Sequence, residues 1–184
     1  MSKRITVGVY ALAFKRFVPK YPMSSVLTNV MRLANLLFNQ RGDENNKYTH
    51  LMLSIDDDLI DVPLDPTLKV ETVFFGAGKT LDVIEYIVAK YPTVVDVCAI
   101  DFKIDYAVVF AALYGVLPTD YSDFVQWLWN RFRGQWESQV NVCTLPTLYL
   151  MRTILGFKGF KFTDTIPEIL TKLERLKRDG KIAW

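Results

Sequence analysis

An alternating stretch in the first third of the chain has the sequence THLMLSIDDDLIDV over residues 49–62. Its first half, 49–55, predicts a strand, and residues 59–62 predict a second, shorter strand. Aspartate favours turns because its carboxylate hydrogen-bonds to nearby backbone N–H groups. The run of three aspartates at 56–58 therefore predicts a β-hairpin.

The length of the turn decides which side chains share a face of this hairpin. With a two-residue turn at 56–57, Asp61 lies opposite Met52. Residues two apart share a face of a strand, so Asp61 then lies diagonal to His50. A three-residue turn moves Asp61 to the other face, and the sequence alone leaves both registers open.

Strand and helix patterns extend from this hairpin in both directions. Strands are predicted at 5–10, 68–75 and 94–100, and helices at 26–38, 80–90, 106–114, 121–133, 143–155 and 166–177. Ser24 and Ser25 are expected to cap the first helix. The mixture predicts a single-domain α+β fold over residues 1–184, with a small antiparallel sheet flanked by helices.

Aromatic residues are concentrated late in the chain. The chain is expected to turn helical at Ile104, which gives a helical, aromatic-rich insert at about 104–136. Trp127, Trp129 and Trp136 belong to it, and packing is their expected role. The alternative is a docking surface for a protein partner.

Composition limits the classes of function. The 22 Lys and Arg residues nearly balance the 20 Asp and Glu residues, giving a net charge of +2. This sum indicates no polyanion partner, and the basic cluster at 172–181 is expected to be a solvated helix face, so no nucleic acid is expected. No metal or cofactor is expected, because one histidine and two distant cysteines do not make a typical zinc site.

Targeting signals are not apparent in the sequence. Neither a signal segment nor a disulfide framework is recognised, and the apolar stretch at 106–117 is too short to span a bilayer. The expected location is the cytoplasm, or a virion if the protein is viral, without a membrane span.

The single histidine, His50, and the cysteine Cys143 suggest a thiol hydrolase. Cys143 stands where a helix is predicted to begin, and a helix N-terminus and a neighbouring imidazole both stabilise a thiolate. The competing interpretation is that His50 is a packed or exposed bystander and that Cys143 is a small apolar residue, as Cys98 is expected to be.

The order of the elements resembles that of the circularly permuted NlpC-type papain-like cysteine hydrolases, a group that includes lecithin:retinol acyltransferase-like proteins and phage and viral members. The resemblance covers residues 5–62 and 120–177 loosely. The matching segments are Tyr48-Thr49-His50-Leu51-Met52-Leu53, Leu59-Ile60-Asp61-Val62, Asn141-Val142-Cys143-Thr144 and Thr165-Ile166-Pro167-Glu168. The resemblance implies a permuted papain-like fold.

The same resemblance implies roles for three residues: Cys143 as nucleophile, His50 as general base and then acid, and Asp61 as the group that orients the imidazole. The implied activity is cleavage of an amide or thioester bond in a peptide or acyl-amide substrate, through a covalent acyl-enzyme. The alternative is a catalytically inactive structural or interaction protein on the same scaffold, for example a phage or viral virion component.

Overall fold

The first strand, β1 (Arg4–Phe14), lies near the centre of a five-stranded antiparallel sheet in the computed structural model. The structure describes residues 4–20, 22–55, 58–61, 71–74, 80–105, 121–140 and 142–182. The other strands are β2 (Tyr48–Ile55), β3 (Asp58–Asp61), β4 (Glu71–Phe74) and β5 (Val94–Asp105), and the order in the sheet is β4-β3-β2-β1-β5. The expected α+β class with an antiparallel sheet is confirmed.

Helices follow and separate these strands. They are α1 (Pro22–Phe38), α2 (Thr80–Lys90), α3 (Tyr121–Arg133), α4 (Leu145–Leu148) with a π-helical segment directly after it (Tyr149–Ile154), and α5 (Ile166–Arg178). The predicted helices at 80–90, 121–133 and 166–177 are confirmed. The helix predicted at 106–114 lies outside the described residues.

Several predicted boundaries are wrong, and they include the predicted start of a helix at Cys143, since α4 begins at Leu145. The first helix starts at Pro22 and not at Ser24 or Ser25, because proline suits the first helical turn, where its missing N–H is not needed. Ser25 lies inside α1, and its Oγ accepts a hydrogen bond from the N–H of Val18 at 3.0 Å. The chain also does not turn helical at Ile104, since β5 pairs with β1 as far as Asp105.

The last helix has the start that its sequence predicts. The hydroxyl of Thr165 accepts from the N–H of Glu168, and the carboxylate of Glu168 accepts from the N–H of Thr165 at 2.7 Å. This reciprocal capping box satisfies two N–H groups that the helix itself leaves without partners.

The sheet separates two apolar cores. One core packs the odd-numbered residues of β1, such as Val7 and Val9, against α4, the π-helical segment and α5. The other packs Tyr10 and Leu12 of β1 against α2. We call these sides the α5 face and the α2 face. A third cluster joins α1 and α3.

A bulge interrupts β2 at its start. Leu12 of β1 pairs with His50, whereas the next residue, Ala13, pairs with Tyr48, so Thr49 is the extra residue. Tyr48 therefore points to the α5 face, where it joins that core. His50 points the other way.

Candidate functional site

His50 lies on the α2 face of the sheet and is buried, at 5% exposure. It is paired with Leu12, which belongs to the α2-face core. Its ring centroid lies 6.4 Å from that of Phe14 and 6.0 Å from that of Tyr91. These aromatic neighbours place the imidazole in the packing between the sheet and α2.

Cys143 lies on the α5 face of the sheet, which is opposite to the face that contains His50. It precedes Thr144, the N-cap residue of α4, and it is 3% exposed within the α5-face core. Trp127 and Thr144 line a cavity beside it, and the cavity volume is about 10 Å³. That is room for about one water molecule, whereas ligand pockets measure roughly 300–1,000 Å³.

The structure does not bring Cys143 and His50 together. Adjacent residues of a strand point to opposite faces, and His50 shares its face with α2 and not with the segment that holds Cys143. The direct thiol–imidazole contact expected from the sequence is therefore not formed.

Asp61 is the last residue of β3, and it pairs with Glu71 of β4. Ile55 pairs with Asp58, which is the register of a two-residue turn, so the shorter of the two predicted turns is confirmed. The side chain of Asp61 lies outside what the structure describes, and its expected role stays a prediction.

A polar cluster that the sequence did not reveal lies at the edge of the α5 face. Asp96 accepts a hydrogen bond from the hydroxyl of Tyr48 at 3.0 Å and forms an ion pair with Lys47 at 2.6 Å. Burial, and then the bond to Asp96, raise the pKa of Tyr48 to about 12. The ammonium of Lys47 lowers the pKa of Asp96, and burial raises the pKa of the nearby Cys98 thiol. The cluster therefore favours the protonated forms of both Tyr48 and Cys98.

The surface of α1 is the most unusual feature of the described residues. Its buried side combines the polar residues Ser25, Thr28 and Asn35 with the apolar Met31 and Ala34. Its solvent side is mainly apolar, although it also contains the exposed Asn29. The exposed apolar side chains are Val26, Val30, Leu33, Leu36 and Leu37, between 38% and 62% exposed, and Phe17 of the preceding loop is 72% exposed. The solvent side of a helix on a protein surface is usually polar. We call these six residues the outer face.

Polar bonds explain why α1 is oriented this way. Asn35 is fully buried, and its Nδ2 donates to the carbonyl oxygens of Tyr48 at 2.8 Å and Asn46 at 3.2 Å. A buried carbonyl without a partner is costly, so these two bonds fix the side of α1 that faces inward. The apolar stripe is left in solvent.

The third helix has a similar outward stripe. Trp127 is buried as predicted, but Trp129 and Trp136 are 54% and 45% exposed, so the expectation that all three tryptophans are core residues is wrong. Phe132 of α3 is exposed and its ring centroid lies 5.1 Å from that of Phe38, the last residue of α1. This contact joins the exposed aromatic side of α3 to the C-terminal end of α1.

Two properties of the described residues limit the kinds of site that they can form. No helix there has the length and apolar character needed to cross a bilayer. Those same parts of the chain contain no group of three or more His, Cys, Asp or Glu side chains placed to hold a metal ion.

Comparison with known proteins gives no match. No protein-family model, curated protein or solved structure is similar to this chain at a significant level.

Proposed function

We propose that this chain is a non-catalytic interaction protein that docks on its partner through the outer face. The observation that supports the proposal is the apolar stripe on the solvent side of α1. Contiguous exposed apolar patches larger than a few hundred Å² mark interaction sites on soluble proteins. Covering about 300 Å² of apolar surface stabilises a complex by on the order of 7 kcal/mol before the costs of association.

The placement of Cys143 also supports a non-catalytic role. A thiol nucleophile needs a group that stabilises its thiolate and a cleft that admits a substrate. His50 lies on the other face of the sheet, and the cavity beside Cys143 has the volume of about one water molecule. A cysteine sealed in apolar packing is typical of a scaffold.

Two matched valine pairs test the docking surface. Val26→Gln with Val30→Gln alters the outer face, and Val88→Gln with Val95→Gln alters two valines elsewhere that are 51% and 56% exposed. Fluorescence of the neutral dye Nile red, added to the folded protein, reports exposed apolar surface. The first pair should lower the signal by roughly half, because it removes part of a contiguous patch, and the second should change it little. Equal effects of the two pairs would contradict the proposal.

A cysteine hydrolase is the second candidate, favoured by the position of Cys143 just before the first turn of α4. Labelling with iodoacetamide, compared among wild type, Cys98→Ala and Cys143→Ala, separates the two candidates. The non-catalytic proposal predicts that Cys98, which is only half-buried, reacts faster than the buried Cys143. Faster labelling of Cys143 below pH ~8.5, abolished by His50→Ala, would support the hydrolase instead.

A further inference from the structure

The charges of the chain are divided unevenly along its length. Residues 1–42 contain seven Lys and Arg and no Asp or Glu, whereas residues 43–184 contain 15 Lys and Arg and all 20 Asp and Glu. The near-zero total therefore conceals a cationic N-terminal part. This part includes the whole of α1 and the loop that leads into it.

The loop between β1 and α1 is bonded directly to α1. The N–H of Val18 donates to Ser25 Oγ at 3.0 Å, and Nδ2 of Asn29 donates to the carbonyl oxygen of Arg16 at 2.8 Å. Asn29 is exposed on the same side of α1 as Val26 and Val30. These bonds hold Phe17 next to α1 and place Arg16 beside the outer face.

Cations therefore border the apolar stripe at both ends. Lys15, Arg16 and Lys20 are exposed in the loop before α1, and Arg41 is exposed just after it. Arg32 is the one charged residue within Pro22–Phe38. Burial lowers the pKa of Arg32, and the positive charge of Arg16 lowers it further, so the two guanidinium groups repel each other.

This arrangement disfavours a second copy of the chain as the partner. Two copies related by a two-fold axis through the outer face would bring identical cations together. The partner chemistry that complements the surface combines an apolar layer with negative charge.

We infer that the partner of the outer face is an anionic lipid surface, on which α1 lies flat. The inference rests on the proposed function, because it names what the same face binds. A helix of 17 residues is about 25 Å long, and helices that lie in a membrane interface combine an apolar face with flanking cations. Phe17 and the leucines enter the boundary between headgroups and acyl chains, and the cations contact lipid phosphates and carboxylates.

The polar groups of α1 favour lipid over an acidic protein. The amide nitrogen of Asn29 already donates to the carbonyl oxygens of Arg16 and Ser25. The rest of this surface is mainly apolar and is bordered by positive charge. A bilayer requires no more than this, whereas a protein partner is normally fixed in position by directional hydrogen bonds as well.

Co-sedimentation with sucrose-loaded vesicles tests the inference on the full chain. Vesicles of phosphatidylcholine alone are compared with vesicles that also contain phosphatidylserine. Wild type should bind the anionic vesicles much more strongly, and added salt should weaken the binding. Leu33→Gln with Leu37→Gln should abolish binding to both.

Two arginine pairs separate local charge from net charge. Arg16→Gln with Arg41→Gln should weaken binding to anionic vesicles about 30-fold. This is the change in affinity that corresponds to about 1 kcal/mol for each of the two lost cations. Arg175→Gln with Arg178→Gln removes the same charge from α5, where the side chains are 74% and 77% exposed, and should change binding less than about twofold.

Three results would overturn the inference: equal binding to both kinds of vesicle, equal loss with both arginine pairs, or binding of an acidic amphipathic peptide without binding of vesicles. If the outer-face valines still govern Nile red fluorescence in that case, the proposed function stands and only the lipid partner is wrong. If they do not, the proposed function itself fails.

Discussion

Tyr48 shows how its surroundings control the ionisation of one residue. Its ring is buried in the α5-face core while its hydroxyl donates to Asp96. Both features favour the neutral phenol, and together they raise its pKa to about 12 from 10.0. Because the folded-state pKa lies above the unfolded value, the stability due to Tyr48 is fully present below pH 10 and is lost as pH rises through 12.

Tyr48→Phe should therefore have a pH-dependent effect. The variant should be less stable than wild type by on the order of 1–2 kcal/mol at neutral pH, since it lacks the bond to Asp96. The difference should shrink as pH rises from about 10 to 12, where wild type loses the contribution of Tyr48. Urea unfolding across this range measures it, and a constant difference would show that the phenol titrates normally.

His50 and Cys143 mark the limit of residue-level prediction. Alternation in the sequence correctly places residues 50 and 52 on one face, and the aspartate run gives the right turn. Which helix covers that face depends on packing between segments that are far apart in sequence. The alternation of one strand contains no information about it.

Among the elements, α1 has an orientation that its sequence conceals. The periodicity of apolar residues predicts the helix, and the usual expectation is that this apolar stripe faces the core. The structure has the reverse arrangement, because the amide of Asn35 satisfies two backbone carbonyls in the interior. Whether an apolar stripe faces the core or solvent can depend on tertiary hydrogen bonds, and the periodicity of the sequence does not reveal these bonds.

On α1, an alanine substitution at a polar residue should therefore destabilise the fold more than one at a leucine. Asn35→Ala leaves two buried carbonyl oxygens without that donor and should destabilise the fold by about 2–3 kcal/mol. Leu33→Ala, at a side chain 57% exposed, should change the free energy of unfolding by about 0.5 kcal/mol or less. Chemical denaturation measures both, and a larger loss with Leu33→Ala would contradict the orientation of α1.

For the whole molecule, net charge is a poor guide to behaviour because the charges are segregated. The total of +2 indicates no polyanion partner, whereas residues 1–42 contain no acidic residue at all. The net charge does not reveal this segregation, although the positions of the charged residues in the sequence do. The fold class is predictable at this scale, since strand and helix patterns are strong over most elements.

Cation-exchange chromatography provides a check that does not depend on any lipid. Arg16→Gln with Arg41→Gln and Arg175→Gln with Arg178→Gln lower the net charge equally. The first pair should elute at clearly lower salt than the second, because retention follows the local cationic patch. Identical elution would mean that the cations beside the outer face do not act together.

The bulge at Thr49 allows β2 to contribute side chains to both faces of the sheet from positions two apart. One inserted residue inverts the phase of the strand, so Tyr48 reaches Asp96 on the α5 face while His50 packs with Phe14 and Tyr91 on the α2 face. In an unbroken strand these two side chains would compete for the same side of the sheet. The insertion thus lets a polar cluster on one face and an aromatic core on the other be built from neighbouring positions of one strand.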